Sequence, residues 1–351
     1  MVADRLTIAA PALGPAGAHR GILAAAASGL GNFIHSLGAD PERVLVASRI
    51  DPETLYHPTA SLELIHYCGV MEEAARQSGC DNFGLHFGRQ FRPQDLGLIG
   101  YIGLHSPTVE LALHNFVADF GWHQHHTHIR LLDLGSSFRL EYQVRHGAIV
   151  ARRQDAELTM GMVLNLIRQG LGAGWCPLEL HFEHPRPADW QEHGRVFRTQ
   201  IWFDQPCNAM LIEKRGLDRP MPSNDPTLLL VMREAIRRLG QAAPRQDLVE
   251  RVRARINLML PRGVIELTDV AADMDMSSAT LQRRLRDHGV SFSQLVDDAR
   301  QTLALHLLRQ KHISLSEIGP LVGYSEISAF SRAFRRWYGI SPRCFRANEL
   351  V

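Results

Sequence analysis

The feature that most constrains this chain is a pattern that occurs twice near its end. Ser277-x-x-x-Leu281-x-Arg283-x-Leu285 is matched by Glu326-x-x-x-Phe330-x-Arg332-x-Phe334, 49 residues further on. Apolar residues four apart share one helical face, and the arginine between them projects from another. A short apolar helix is expected ahead of each copy, over Leu267 to Met274 and Leu315 to Val322. Asp275 and Gly323 stand at the turns, and both residue types tolerate a left-handed backbone. Ser314 and Glu317 have the S-x-x-E spacing of a capping box. Between the copies, Phe292 to Leu308 is amphipathic, with Leu295, Ala299, Leu303, Leu307 and Leu308 toward one side. Two helix-turn-helix units joined by a long helix describe this all-α carboxy-terminal stretch most economically.

Two helical hairpins carrying solvated arginines would show the same periodicity. The duplication, with an arginine in the same place, favours a DNA-binding reading. A helix in the major groove sets Arg against guanine and Gln against adenine. Gln282, Arg283 and Arg332 have that chemistry, and small residues such as Ala279, Ser328 and Ala329 let a helix end sink toward the bases. Ser277, Arg286 and Glu326 complete the candidate DNA-contacting set, with Arg335 and Arg336 expected on phosphates. Seventeen residues of joining helix span about 25 Å, which suits adjacent turns of a duplex.

Leu267 to Arg346 resembles the DNA-binding domain of the AraC/XylS transcription regulators. Gly323-Tyr324-Ser325, Phe330-Ser331-Arg332-Ala333-Phe334 and Gly339-Ile340-Ser341-Pro342 with Phe345-Arg346 carry the likeness. Two departures from the family pattern stand out. Gly319-Pro320 replaces what is commonly Ala and a helix former, and the proline is expected to shorten its helix and seat the second unit more loosely. Cys344 is unusual near the final turn. The resemblance implies promoter DNA as a partner, and RNA polymerase with it.

The net charge of +1 is no objection, because the charge is unevenly distributed. From Pro244 onward 16 Lys and Arg face 12 Asp and Glu; the preceding residues carry 22 against 25. The basic end suits phosphate. Five cysteines without CxxC spacing suit a reducing compartment, and no apolar run reaches membrane-spanning length, so a cytoplasmic, bacterial-type protein off the membrane is expected.

Residues 1–18 read as a flexible tail, 19–239 as an effector-sensing or dimerising domain, 240–246 as a linker and 247–351 as the DNA-binding domain. In the front domain, helical periodicity runs from His19 to Leu37, from Ser61 to Ser78, and over Phe83 to Phe91, Pro107 to Phe120, Arg152 to Leu171 and Pro226 to Leu239. Strand alternation occupies His128 to Leu134 and Phe138 to Val144 around a Gly135-Ser136-Ser137 turn, then Leu178 to Glu183, Ile201 to Phe203 and Ala209 to Glu213. The expected architecture is α+β, with helices covering one face of a small antiparallel sheet.

Gln94-Asp95-Leu96-Gly97-Leu98-Ile99-Gly100-Tyr101 and Ser106-Pro107-Thr108 resemble the non-cupin amino-terminal domain that some AraC-like regulators carry under an arabinose-binding label. The label does not name a substrate. The resemblance implies a small-molecule effector and a possible homodimer. The competing reading is a constitutive DNA-binding protein whose front domain only dimerises.

Tyr101, among its glycines, and Trp122 are candidate ligand contacts, although helix or loop packing that needs no side chain is the readier explanation of those glycines. Trp122-His123-Gln124-His125-His126-Thr127-His128 looks metal-like, but on a strand His123 and His125 would face away from His126 and His128, so no metal site is assigned. No cofactor is implied. Pro206-Cys207 is followed by Asn208-Ala209 rather than the His-Arg of alkyl-transfer repair domains, and G-x-S-x-G and HExxH are absent, so no enzyme is expected.

Overall fold

The computed structural model describes residues 21–240, 248–260, 263, 265–309 and 313–348. The expected tail over 1–18 and linker residues 241–246 lie outside them. The front region begins with β1 (Ile22–Leu23), α1 (Leu30–Ser36), α2 (Pro41–Ala47), β2 (Ser61–Leu62), α3 (Leu64–Ser78), α4 (Phe83–Gln90), α5 (Leu98–Leu104) and α6 (Val109–His123). It continues with β3 (Thr127–Asp133), β4 (Ser137–Val144), α7 (Arg153–Leu171), β5 (Glu179–His181), α8 (Gln191–Phe197), β6 (Gln200–Trp202), β7 (Asn208–Glu213) and α9 (Pro226–Gly240). The rear region holds α10 (Leu248–Met259), α11 (Leu267–Asp273), α12 (Ser278–Asp287), α13 (Phe292–Arg309), α14 (Leu315–Leu321), α15 (Ile327–Tyr338) and α16 (Pro342–Asn348).

The helix expected from His19 starts only at Leu30. Gly29 is left-handed at φ 79°, which breaks the periodic run, and Ile22–Leu23 pairs with Ser61–Leu62 instead. Gly21 makes that pairing possible: a Cβ there would lie 1.9 Å from the Leu62 carbonyl oxygen. The stretch Gly97 to Gly103 is largely helical, as α5. Its glycines are packing surfaces, since a Cβ on Gly100 would meet the Pro93 carbonyl and one on Gly103 the Leu166 side chain.

The sheet runs β3-β4-β7-β5-β6. It is mixed rather than wholly antiparallel, because β6 joins β5 in parallel through α8, a helix the sequence did not suggest. Along β4, Phe138, Leu140, Tyr142 and Val144 alternate into the helix-covered core. The intervening Arg139 and Glu141 form an ion pair at 2.8 Å on the opposite face, which Arg130 extends at 2.6 Å.

Buried α7 is the centre of the front core. It crosses α4 so closely that a Cβ on Gly84 would come within 2.0 Å of the Gln154 carbonyl oxygen. Its first turns are polar and buried, so each group needs a partner. Tyr142 donates to Asp155 at 2.6 Å, and Arg153 reaches Glu157 at 2.8 Å and Asp81 at 3.0 Å.

A second core cluster spans Val252 to Phe334 and includes Leu281, Leu285, Phe330 and Phe334. Val150 of the front region packs against it. The Asn257 side-chain amide donates to the Gly147 carbonyl at 2.7 Å, tying α10 to the loop after β4. Pro320 does not shorten its helix: α14 and α11 are both seven residues long.

Candidate nucleic-acid interface

Local chemistry sets the start of each arginine-bearing helix. Ser277 caps α12 by accepting from the Thr280 amide at 3.2 Å. Glu326 occupies the equivalent N-cap of α15, accepts from the Ser328 hydroxyl at 3.0 Å and makes no capping bond. Leu281 and Leu285 anchor α12, and Phe330 and Phe334 anchor α15, all four buried to 1% exposure or less. The turn before α15 is stabilised by Arg300, whose guanidinium lies 4.8 Å from the Tyr324 ring centre and donates to the Gly323 carbonyl. The Ser314–Glu317 capping box opens α14.

On the outward faces, Ser277, Ala279, Gln282, Arg283 and Arg286 are exposed in the first copy; Glu326, Ser328, Arg332, Arg335 and Arg336 are exposed in the second. Among the described residues none of these five arginines has an ion-pair partner, which leaves their fork-shaped donors available to carbonyl or phosphate acceptors. Other arginines of the region are structural. Arg255 pairs with Asp273 at the end of α11. Arg346, part of the terminal motif, donates to the Leu308 and Ile313 carbonyls at 3.1 and 2.8 Å.

The front-region candidates are less convergent. Tyr101 stacks on His105 with ring centres 5.9 Å apart, and Trp122 packs against the front core. Neither lines the cavities found where the two regions meet. An open groove of about 560 Å³ there is lined by Glu72, Asp81, Arg153, His306 and Arg309. A cavity of about 200 Å³ lies between Arg152, Glu183 and Asp204 on one side and Leu303, Leu307 and Leu321 on the other. Arg152 and Glu183 pair at 2.6 Å in its wall. The sequence gives no local signal for this seam, because its residues are up to about 240 positions apart.

The histidine run does not form one strand. His123 ends α6, His126 is left-handed at φ 55°, and β3 begins at Thr127. Burial, with Arg145 and Arg130 nearby, pushes His128 down to about 4. Away from that run, the structure brings Glu157 of α7, His184 after β5 and His193 of α8 together, all buried. Burial pushes His184 down to about 3. Burial would raise Glu157, but Arg153 and His193 hold its carboxyl well below the usual range.

Among proteins of known sequence, the model for the arabinose-binding domain of AraC transcription regulators matches residues 38–221, and a helix-turn-helix domain model matches residues 270–348. The transcriptional regulator VirS of Mycobacterium tuberculosis is 27% identical over 341 residues, covering 91% of this chain and 94% of that protein. The ornithine utilization regulator of Pseudomonas aeruginosa is 26% identical over 333 residues, with 91% and 94% covered. The crystal structure of the regulator CdpR from P. aeruginosa aligns over 87% of this chain and 96% of that one, with 20% identity and a TM-score of 0.38.

The class is therefore a DNA-binding transcription regulator with a helix-turn-helix domain, not an enzyme. The chain belongs to the AraC family, in the group that carries the arabinose-binding-type amino-terminal domain.

Proposed function

We propose that α11–α12 and α14–α15 are two helix-turn-helix units whose second helices enter successive major-groove segments of promoter DNA. Gln282, Arg283 and Arg332 face base edges. Ser277, Ala279, Glu326 and Ser328 lie at the groove-entering ends, and Arg286, Arg335 and Arg336 hold phosphates. One observation carries this reading: in both copies the apolar residues of the repeat are buried, while the arginine between them is exposed and unpaired. The test is anisotropy of the full chain on an operator selected from random DNA. Affinity should fall steeply with salt, as counterion release requires; salt-independent binding would contradict it.

Residues 19–239 act as the effector-sensing part and 247–351 as the DNA-binding part. The support is that α13, which separates the two helix pairs, also lines the seam cavities through Leu303, His306 and Leu307. A small molecule bound in the open groove would bear on α13 directly. A ligand that binds the native chain must raise its melting temperature. Screening small polar metabolites by thermal shift should find one that raises it and also alters operator affinity; a ligand that raises it without altering operator affinity would favour a front domain that only dimerises.

A further inference from the structure

We propose that Glu157, His184 and His193 form a binding site for a divalent cation of the zinc class, set in the wall of the front region that faces α13. One ligand atom from each residue lies within 4.8 Å of the other two, and all three residues are buried. The site is separate from the DNA-contacting helices.

The chemistry of the atoms fits. His184 Nδ1 sits 2.9 Å from the Pro185 carbonyl, which fixes the proton there and turns the Nε2 lone pair inward, the tautomer that a metal-binding histidine needs. His184 Nε2, His193 Nδ1 and Glu157 Oε2 are buried without a hydrogen-bond partner. Buried polar atoms are almost always satisfied, so His184 Nε2 and Glu157 Oε2 ask for a common partner; His193 Nδ1, on the ring edge away from the Nε2 that meets Glu157, is not part of that pair.

Distances agree as well. Two ligands on a tetrahedral zinc with bonds of about 2.0–2.1 Å stand roughly 3.4 Å apart. His184 Nε2 lies 3.4 Å from Glu157 Oε1, so both groups come to one place, and His193 Nε2 lies 2.8 Å from the same oxygen in a hydrogen bond that an ion seated on Oε2 would replace. Arg153 donates to Glu157 Oε1 and is itself held by Asp81 and Asn82. It therefore orients the carboxylate with Oε2 left open, while Asp81 offsets its charge. Two neutral imidazoles and one carboxylate favour zinc over calcium or magnesium, which take all-oxygen sets. His184 and Pro185 also line the cavity that Leu303 and His306 of α13 close, so an ion here would stiffen the surface on which the DNA-binding part rests.

The test uses the full chain, stripped with a chelator and titrated with Zn²⁺ against a chromophoric competitor. One zinc per chain is expected. His184→Ala and His193→Ala should each weaken binding by at least about 100-fold, since even outer partners of a metal site are worth 10–100-fold. The double variant His125→Ala, His126→Ala should leave it unchanged. Substitution with Co²⁺ should give tetrahedral visible bands without a thiolate charge-transfer band. If an alanine variant fails to fold, His193→Gln keeps the side-chain volume and takes its place. No specific zinc uptake by the unsubstituted chain, loss of zinc in the His125, His126 variant, or a thiolate band would each overturn the proposal.

Discussion

Asp275 and Gly323 hold the same left-handed backbone conformation, φ 55° and 77°, in the turns that lead into α12 and α15. They lie 48 residues apart, one fewer than the offset of the helical pattern, so the second turn is one residue longer. That turn contains Tyr324, the ring Arg300 covers. The two turns are thus alike in conformation and unlike in how they are braced.

Gly323 should be the more sensitive of the two. A Cβ there would be strained by the positive φ and would lie 3.1 Å from the Gly263 carbonyl oxygen. Gly323→Ala is expected to cost about 1–2 kcal/mol, whereas Asp275→Gly should change stability by less than about 1 kcal/mol. Urea unfolding of the full chain, followed by far-ultraviolet circular dichroism, measures both.

Much of the rear region was legible in the sequence because its signals are local. Capping residues, a four-residue apolar spacing and two turn residues all lie within a few positions of what they control. The front region depends on distant backbone approach, which leaves only glycine as its mark. Gly21, Gly84 and Gly100 each admit a neighbouring backbone, and nothing in their flanks says which one. The parallel β5–β6 pair and the Glu157, His184 and His193 cluster were missed for the same reason: the residues meet only after α8 folds back.

The α4–α7 crossing offers a sharp comparison of two helical glycines. Gly84→Ala drives a methyl into the Gln154 backbone and should cost about 3 kcal/mol. Gly69→Ala, in the interior of α3 with nothing within 4 Å of the new atom, should instead stabilise by about 1 kcal/mol. Equal urea midpoints for the two variants would contradict the close crossing.

Acid should loosen the seam through His306. Burial first, then Arg309, Arg153 and Arg152, pushes its imidazole down to about 4, against about 6.5 when unfolded. Because the folded value is the lower one, its contribution is fully present above about pH 6.5 and is lost as pH falls toward 4. Asp81 and Glu72 share its groove, but burial raises the Glu72 carboxyl to about 7, so it is largely neutral over this range. His306→Gln should flatten the stability curve between pH 7 and pH 4.5, by at most about 3 kcal/mol. An unchanged slope in denaturant titrations at the two pH values would remove His306 as the cause.

Arginines on the outward faces should separate into two kinds. Arg283→Ala and Arg332→Ala are each expected to cost about 1–3 kcal/mol on a selected operator and to relax base preference at one position. Arg335→Ala and Arg336→Ala should weaken all sequences nearly alike and lower the salt slope. With α14 undiminished by Pro320, losses from the two helices should be similar. Anisotropy titrations against operator and scrambled DNA distinguish these outcomes.

The two helices held apart by α13 are expected to read one face of the duplex. Its 18 residues span about 27 Å, and with the width of the flanking helices that matches neighbouring major-groove segments about 34 Å apart. Hydroxyl-radical footprinting of the full chain on a selected operator tests this most directly. Two protected segments about one helical turn apart per protomer are expected, with Arg332→Ala losing protection in only one of them. A single short protected segment, unchanged by Arg332→Ala, would contradict the account.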